Sequence, residues 1–238
     1  MTDMIQYEHY TDKGFISQMN QDAMFCDTSD YMAVFCVADG MGGHMHGEQA
    51  SNAIIEAIEN WYKDNAYESG SVEFNLLLYS LESMLSNVNS KIYEEMNLDG
   101  LCGSTAVVLI ILKDKYAVYS AGDSRVYLKR KFSFSQLTVD DVWQNKPEIH
   151  NHMDNKDIVN SENYGKLTKA VGIKKHIVFN RITGEVRKGD IFFLCCDGVY
   201  KYIADRKLRR LFMNSKKVCD EVRKAGAPDN FSFIIVRT

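Results

Sequence analysis

Proline is nearly missing from this chain: among 238 residues only Pro147 and Pro228 occur. No proline-rich, serine-rich or low-complexity stretch marks a linker, so residues 1–238 read as one domain. Basic charge is also scarce. Twenty-eight Lys and Arg stand against 32 Asp and Glu, for a net charge of -4. That balance lacks the positive footprint of a nucleic-acid partner. No apolar run approaches the roughly 20 residues needed to cross a bilayer, so no membrane partner is expected. Met1-Thr2-Asp3-Met4 carries neither the basic nor the apolar region of a signal peptide. The six cysteines include no C-x-x-C pair. Cys36, Cys195 and Cys196 lie inside apolar runs and Cys102 precedes one, which reads as buried thiols in a reducing compartment. A cytoplasmic protein is expected.

What is present is ordinary in bulk and specific in pattern. Apolar residues make up 45% and charged residues 25%, as in globular domains. The run Val34-Phe35-Cys36-Val37-Ala38 ends abruptly in Asp39, and Gly40-Met41-Gly42-Gly43-His44 follows. This predicts a buried strand that delivers one carboxylate to its end, where the backbone turns tightly. A carboxylate there is expensive to bury unless a positive charge meets it. The device recurs at Ala121-Gly122-Asp123-Ser124, at Cys195-Cys196-Asp197-Gly198 and at Pro228-Asp229-Asn230. Singly, most such aspartates read better as turn formers at strand ends. Together they suggest one site of hard oxygen ligands, suited to Mg²⁺ or Mn²⁺ rather than Zn²⁺.

In chain order, early strands are expected at residues 5–10 and 23–26, with a loop over 11–20 between them, then a strand over 32–38. A helix from Glu48 carries the stripe Ala50, Ala53, Ile54, Ala57, Ile58, Trp61 and Tyr62. A second covers about 72–96, with Leu77, Leu81, Met84, Val88 and Ile92 as its buried line. Both stripes read as packing against a sheet. Residues 105–112 and 115–120 form a hairpin about Lys113-Asp114, and further strands fall at 125–128, 132–137, 177–182 and 191–196. Residues 140–165 hold six acids, two lysines and few apolar side chains, and read as a solvated excursion. A mostly helical segment over 199–224 precedes a last strand at 231–236. Consecutive strands without crossover helices indicate an α+β fold with antiparallel sheets and helices packed outside.

The order of the motifs carries a resemblance over nearly the whole length. They run Gly14…Asn20-Gln21-Asp22-Ala23, Asp39-Gly40-Met41-Gly42-Gly43-His44, Gly103-Ser104-Thr105-Ala106 and Gly122-Asp123-Ser124-Arg125. Leu137-Thr138-Val139-Asp140, Leu167-Thr168-Lys169-Ala170-Val171-Gly172, Cys196-Asp197-Gly198 and Asp229-Asn230 follow. The chain resembles the metal-dependent protein phosphatases of type 2C in their bacterial form. The resemblance implies a four-layer α-β-β-α sandwich with metals at one edge. It implies that Asp39 bridges two Mn²⁺ or Mg²⁺ ions, that the Gly40 carbonyl binds one, and that Asp197 and Asp229 complete the shell of the other. Asp22 would orient metal-bound waters, and Asp123 matches the position that helps hold a third, weaker ion. The partners implied are a phosphorylated protein substrate and a cognate serine/threonine kinase. Residues 140–165 would be the family's flap. A metal pair can acidify a shared water and clamp a phosphate for in-line attack, so Asp22, Asp39, Asp197 and Asp229 are the candidate catalytic set and no covalent phosphoenzyme is expected.

Three positions depart from the family pattern. Ser17 stands where a phosphate-gripping arginine is usual and offers no bidentate fork. Gln21 replaces a common glutamate, and Asp141 a histidine. His44 and His46 lie near Asp39, but the histidine that some relatives place directly after Asp-Gly is Met41 here, so His44 reads as a structural neighbour. Other chemistries fit worse. No cysteine is followed after five residues by arginine, as a cysteine phosphatase needs, and Met45 breaks a dinucleotide fingerprint. The His44/His46 and His150/His152 pairs read as surface histidines rather than zinc ligands. The hypotheses are a hydrolase acting on phosphoserine and phosphothreonine in proteins, a catalytically silent phosphatase-like binding module, and a hydrolase of small phosphoesters.

Overall fold

The structure is a computed structural model, and it describes residues 5–42, 46–66, 73–98 and 100–238, with His46 described by its backbone only. The expectations for Gly43 and His44 lie outside these residues. Eleven strands are described: β1 (Gln6–Asp12), β2 (Asp22–Thr28), β3 (Met32–Met41), β4 (Gly103–Ser104), β5 (Ala106–Leu112), β6 (Lys115–Ala121), β7 (Arg125–Arg130), β8 (Ser133–Gln136), β9 (Asn180–Glu185), β10 (Ile191–Cys195) and β11 (Phe231–Arg237). They form two antiparallel sheets, one ordered β1-β11-β10-β7-β8 and the other β2-β3-β5-β6-β9, with β4 paired to β3. Helices α1 (His46–Asn65) and α2 (Phe74–Lys91) cover the second sheet, and α5 (Asp197–Tyr200), α6 (Asp205–Leu211) and α7 (Ser215–Lys224) cover the first. Two antiparallel sheets flanked by helices are the expected sandwich.

The continuous apolar run in β3 follows from burial on both faces. Ala33, Phe35 and Val37 point between the sheets, whereas Met32, Val34, Cys36 and Ala38 face the helical layer. The same alternation in β10 turns Phe192 toward Tyr116 of the facing sheet and Phe193 toward Phe212 beneath the outer helices. In α1 the buried stripe Ala50, Ile54, Ile58, Trp61 and Tyr62 meets Leu77, Leu78, Leu81 and Leu85 of α2. All six cysteines are free thiols, five of them buried.

Several boundaries differ from expectation. β3 does not end at Asp39: it continues two residues to pair Gly40 with Ser104 and Met41 with Gly103, in a strand too short for periodicity to reveal. The strand expected over 177–182 sits at 180–185. Its pairing with β6 begins at Ser120↔Asn180, just before β6 ends, so Ile177 and Phe179 serve instead as apolar packing on the helical layer. The mostly helical segment after Asp197 consists of three helices, with breaks at Ala204 and Asn214. The second helix stops at Lys91 and continues as a π-type turn, Ile92–Met96. The acidic excursion contains a 3₁₀ turn (Trp143–Asn145) and two short helices, α3 (Pro147–His152) and α4 (Asn155–Val159). His150 and His152 are exposed on α3, as surface histidines would be.

Candidate metal centre

Asp39 and Asp22 face each other directly as partners in the β2–β3 ladder. The period of two explains why: Asp39 continues the parity of Phe35 and Val37, so its carboxylate enters the gap between the sheets. Around it the backbone is closed off. The Asp39 carbonyl accepts from Thr105 N–H at 2.8 Å and from the Ser104 hydroxyl at 2.9 Å. Thr105 Oγ1 lies 2.7 Å from Ser124 Oγ, beside Asp123.

Gly40 continues the strand instead of turning, and its lack of a side chain permits contact. A Cβ on Gly40 would sit 2.2 Å from the carbonyl oxygen of Gly47 at the start of α1. Gly198 is pressed harder, its imagined Cβ 1.8 Å from the carbonyl oxygen of Asn230. That contact holds the start of α5, with Asp197, against the turn that carries Asp229. Asn230 then clamps the arrangement. Its Oδ1 accepts from Gln21 N–H at 2.8 Å, and its Nδ2 donates to the carbonyls of Lys13 at 2.9 Å and Met19 at 3.0 Å. Asp22 therefore follows a backbone tied to the Asp229 turn.

The carboxylates act on one another's charge. Burial, followed by the charges of Asp22, Asp197, Asp123 and Asp229, raises the Asp39 carboxyl well above the ordinary carboxylate range. Burial also pushes Asp22 up to about 7; hydrogen bonds from Ser232 and Cys196 oppose this, while Asp197 and Asp229 add to it. Burial and Asp197 likewise raise Asp123 and Asp229. Five carboxylates from distant segments thus act on one volume, and their mutual repulsion calls for a cation.

The ligand-like atoms bear this out. Asp22 Oδ2 accepts from Ser232 Oγ at 2.7 Å and from the Cys196 thiol at 3.2 Å. Asp22 Oδ1 is shut off from solvent without a hydrogen-bond partner among the described residues. Donor atoms of Asp22, Asp39 and Cys196 lie within 4.8 Å of one another. Cys196 is not read as a ligand. Burial and the nearby carboxylates raise its thiol well above the ordinary value, so it stays protonated and donates. The remaining donors are hard oxygens, which fit Mg²⁺ or Mn²⁺.

Of the sequence-selected aspartates, Asp22 and Asp39 bring donor atoms together, with Gly40 next in the strand, while Asp123, Asp197 and Asp229 lie near enough for their charges to act on Asp39. Sequence reasoning missed three neighbours. Cys196 holds Asp22. Lys201 extends its ammonium to Asp197 Oδ2 at 2.5 Å and to Asp123 Oδ2 at 3.6 Å. Tyr200 donates its hydroxyl to Asp123 Oδ2 at 3.1 Å, and the Arg125 guanidinium lies 3.5 Å from the Tyr200 ring centre. Lys201 follows Asp197 at the i,i+4 spacing of an ion pair, a signal the sequence did hold. Ser17 sits in the loop between Lys13 and Met19, whose carbonyls both accept from Asn230 Nδ2. Asp141 lies farther out, where it accepts from Gly122 N–H and pairs with Lys169 at 3.1 Å.

Comparison with known proteins agrees with this geometry. The family model described as Protein phosphatase 2C matches residues 13–230. The chain is 25% identical to the serine/threonine phosphatase stp of Listeria monocytogenes, over 96% of this chain and 94% of that one. It is 24% identical to the serine/threonine protein phosphatase PstP of Mycobacterium tuberculosis, over 99% of this chain and 45% of that one. The solved phosphatase Stp1 of Staphylococcus aureus superposes with a TM-score of 0.84 at 20% identity, covering 99% and 95% of the two chains. A catalytic domain of PstP, solved in complex with two manganese ions, superposes with a TM-score of 0.80 at 24% identity, covering 98% and 97%. On the match of the family model to most of its length, the chain belongs to the protein phosphatase 2C family.

Proposed function

We propose that this protein is a metal-dependent phosphatase that hydrolyses phosphoserine and phosphothreonine in proteins. The observation that carries the reading is the convergence of Asp22, Asp39, Asp123, Asp197 and Asp229 on one partly open site, in which Asp123 is buried, Asp229 is exposed and Asp22 Oδ1 is unpartnered among the described residues. The fit to a divalent pair is good: the donors are hard oxygens, and a cation would relieve the repulsion that lifts these carboxyls. Asp39, the Gly40 carbonyl, Asp197 and Asp229 would hold two ions, Mn²⁺ or Mg²⁺. Such a pair supplies an acidified water and a clamp on the phosphate.

The chain's own residues do the rest. Asp22, its Oδ2 held by Ser232 and Cys196, keeps Oδ1 aimed into the site to orient water. The Gly40 and Gly198 contacts keep the carboxylates at fixed spacing before substrate arrives, which is the preorganisation that electrostatic catalysis requires. Ser17, in the loop that Asn230 ties down, would offer the substrate phosphate one hydroxyl and no bidentate fork. The family relatives named as serine/threonine phosphatases support a phosphoprotein substrate and, by extension, a partner kinase. No helix among the described residues is long and apolar enough to cross a membrane. With the free thiols, this supports a cytoplasmic location. We read residues 1–238 as one catalytic domain with 140–165 as its flap.

Turnover of a phosphothreonine peptide tests the reading. Purified protein is expected to release phosphate with Mn²⁺, to stop with chelator, and to lose activity on Asp39→Asn or Asp197→Asn. Absence of turnover by folded protein with either Mn²⁺ or Mg²⁺ would instead favour a binding module.

A further inference from the structure

Lys201 stands in an unusual place for a lysine. Its ammonium lies between two carboxylates of a centre otherwise built from acids, 2.5 Å from Asp197 Oδ2 and 3.6 Å from Asp123 Oδ2. The Asp123 oxygen is further engaged by the Tyr200 hydroxyl at 3.1 Å, and Tyr200 is held in turn beneath the Arg125 guanidinium. Arg125 is anchored by Asp140 at 2.6 Å and by the Tyr127 hydroxyl at 2.9 Å. The Asp123 carboxylate is thus buried, 4% exposed, and its Oδ2 meets a lysine and a tyrosine rather than open volume.

A divalent ion bridging Asp123 and Asp197 would have to take the position of this ammonium and compete for the same oxygens. Lys201 cannot vacate it without leaving two neighbouring carboxylates uncompensated, and a cation entering beside it would meet like charge. Resting on the metal-centre reading above, we infer that Lys201 is a resident cation that closes the Asp123 side of the centre to a further ion. This chain then takes up two divalent ions where the resemblance to its family implies a third at Asp123. Lys201 is a positioning residue: it sets how many metals the acids accept. A second consequence concerns Asp197. One of its oxygens is committed to the ammonium, which leaves the other to face the metal pair.

The test is to count Mn²⁺ bound per chain at saturation, by electron paramagnetic resonance of free ion and by calorimetry. Wild type, Lys201→Gln, Lys201→Arg and the double variant Lys201→Gln/Asp123→Asn are compared. Wild type is expected to bind two ions, Lys201→Arg to keep two, and Lys201→Gln to gain one weaker ion. The double variant should return to two, because Asp123 no longer offers a carboxylate. Lys201 is half-exposed at a helix end, and the arginine variant reports whether position 201 tolerates change without losing charge. Two ions in both wild type and Lys201→Gln would overturn the inference alone. So would three ions in wild type. A folded wild type that takes up no ion would overturn the metal-centre reading and this inference with it.

Discussion

Asn230 joins three backbone groups of the loop over 13–21 through a single amide; the metal-centre aspartate Asp22 follows that loop, and Asp229 precedes Asn230. Its truncation leaves buried donors and acceptors unmatched, which costs about 1–3 kcal/mol for each group left buried. Asn230→Ala is therefore expected to lower stability by at least about 2 kcal/mol in urea unfolding. Turnover should fall further than the population of folded protein explains, because Asp22 and Asp229 lose their common tie. A variant with normal activity per folded molecule would show that the clamp is structural only. Gly198→Ala tests the same junction from the other side. Its added methyl meets the Asn230 carbonyl oxygen at 1.8 Å. The overpacking is expected to cost about 1–3 kcal/mol and to weaken Mn²⁺ binding measured by calorimetry. At this scale the aspartates were readable, because a carboxylate that ends an apolar run leaves a one-dimensional trace. Cys196 and Tyr200 were not, because their partners, Asp22 and Asp123, lie far away in sequence and meet them only through the fold. Ser17 was readable as a departure, and Ser17→Arg is expected to lower KM for phosphopeptide several-fold by supplying a charge-assisted fork. An unchanged KM would place the substrate phosphate elsewhere.

Among the elements, the excursion over 140–165 has the clearest consequence. Arg125 ties its first stem to the body through Asp140, and Val142 bridges that stem to Leu167 at the end of the second. Between the stems Glu148, Asp154, Asp157 and Glu162 are exposed. If this segment borders the bound peptide as a flap, phosphopeptides with basic flanks are expected to be hydrolysed with higher kcat/KM than acidic ones, and the difference should shrink as salt is raised. Equal rates on the two peptide classes would remove the flap from substrate recognition. The short helices inside it were not readable in sequence. Five- and six-residue helices are too brief for a periodic stripe, and only Ile158 of α4 is buried. The displacement of β9 has a similar cause. Ile177, Val178 and Phe179 look more strand-like than Asn180–Glu185, yet the partner β6 decides where pairing begins.

For the whole molecule, the sandwich followed from what was legible: runs buried on both faces, hairpin spacing without crossover helices, and two amphipathic helices after the early strands. The centre adds a thermodynamic signature to that frame. Crowded, mutually repelling carboxylates destabilise the metal-free protein, and an ion that binds only the folded state stabilises it. At a hundredfold excess over Kd one bound ion contributes about 2.7 kcal/mol, or about 5–10 °C in Tm for a chain of this size. Mn²⁺ is expected to raise the Tm of wild type by this order and to raise that of Asp39→Asn far less. Equal shifts in both would mean that the ion binds elsewhere.

The most direct test of the account measures phosphate release and bound Mn²⁺ on the same sample as the metal is titrated into chelator-stripped protein. The account predicts that hydrolysis of a phosphothreonine peptide follows occupancy of the centre, and that Asp39→Asn loses tight metal and turnover together. Turnover that persists in the stripped protein, or a fully occupied wild-type centre that releases no phosphate, would contradict it.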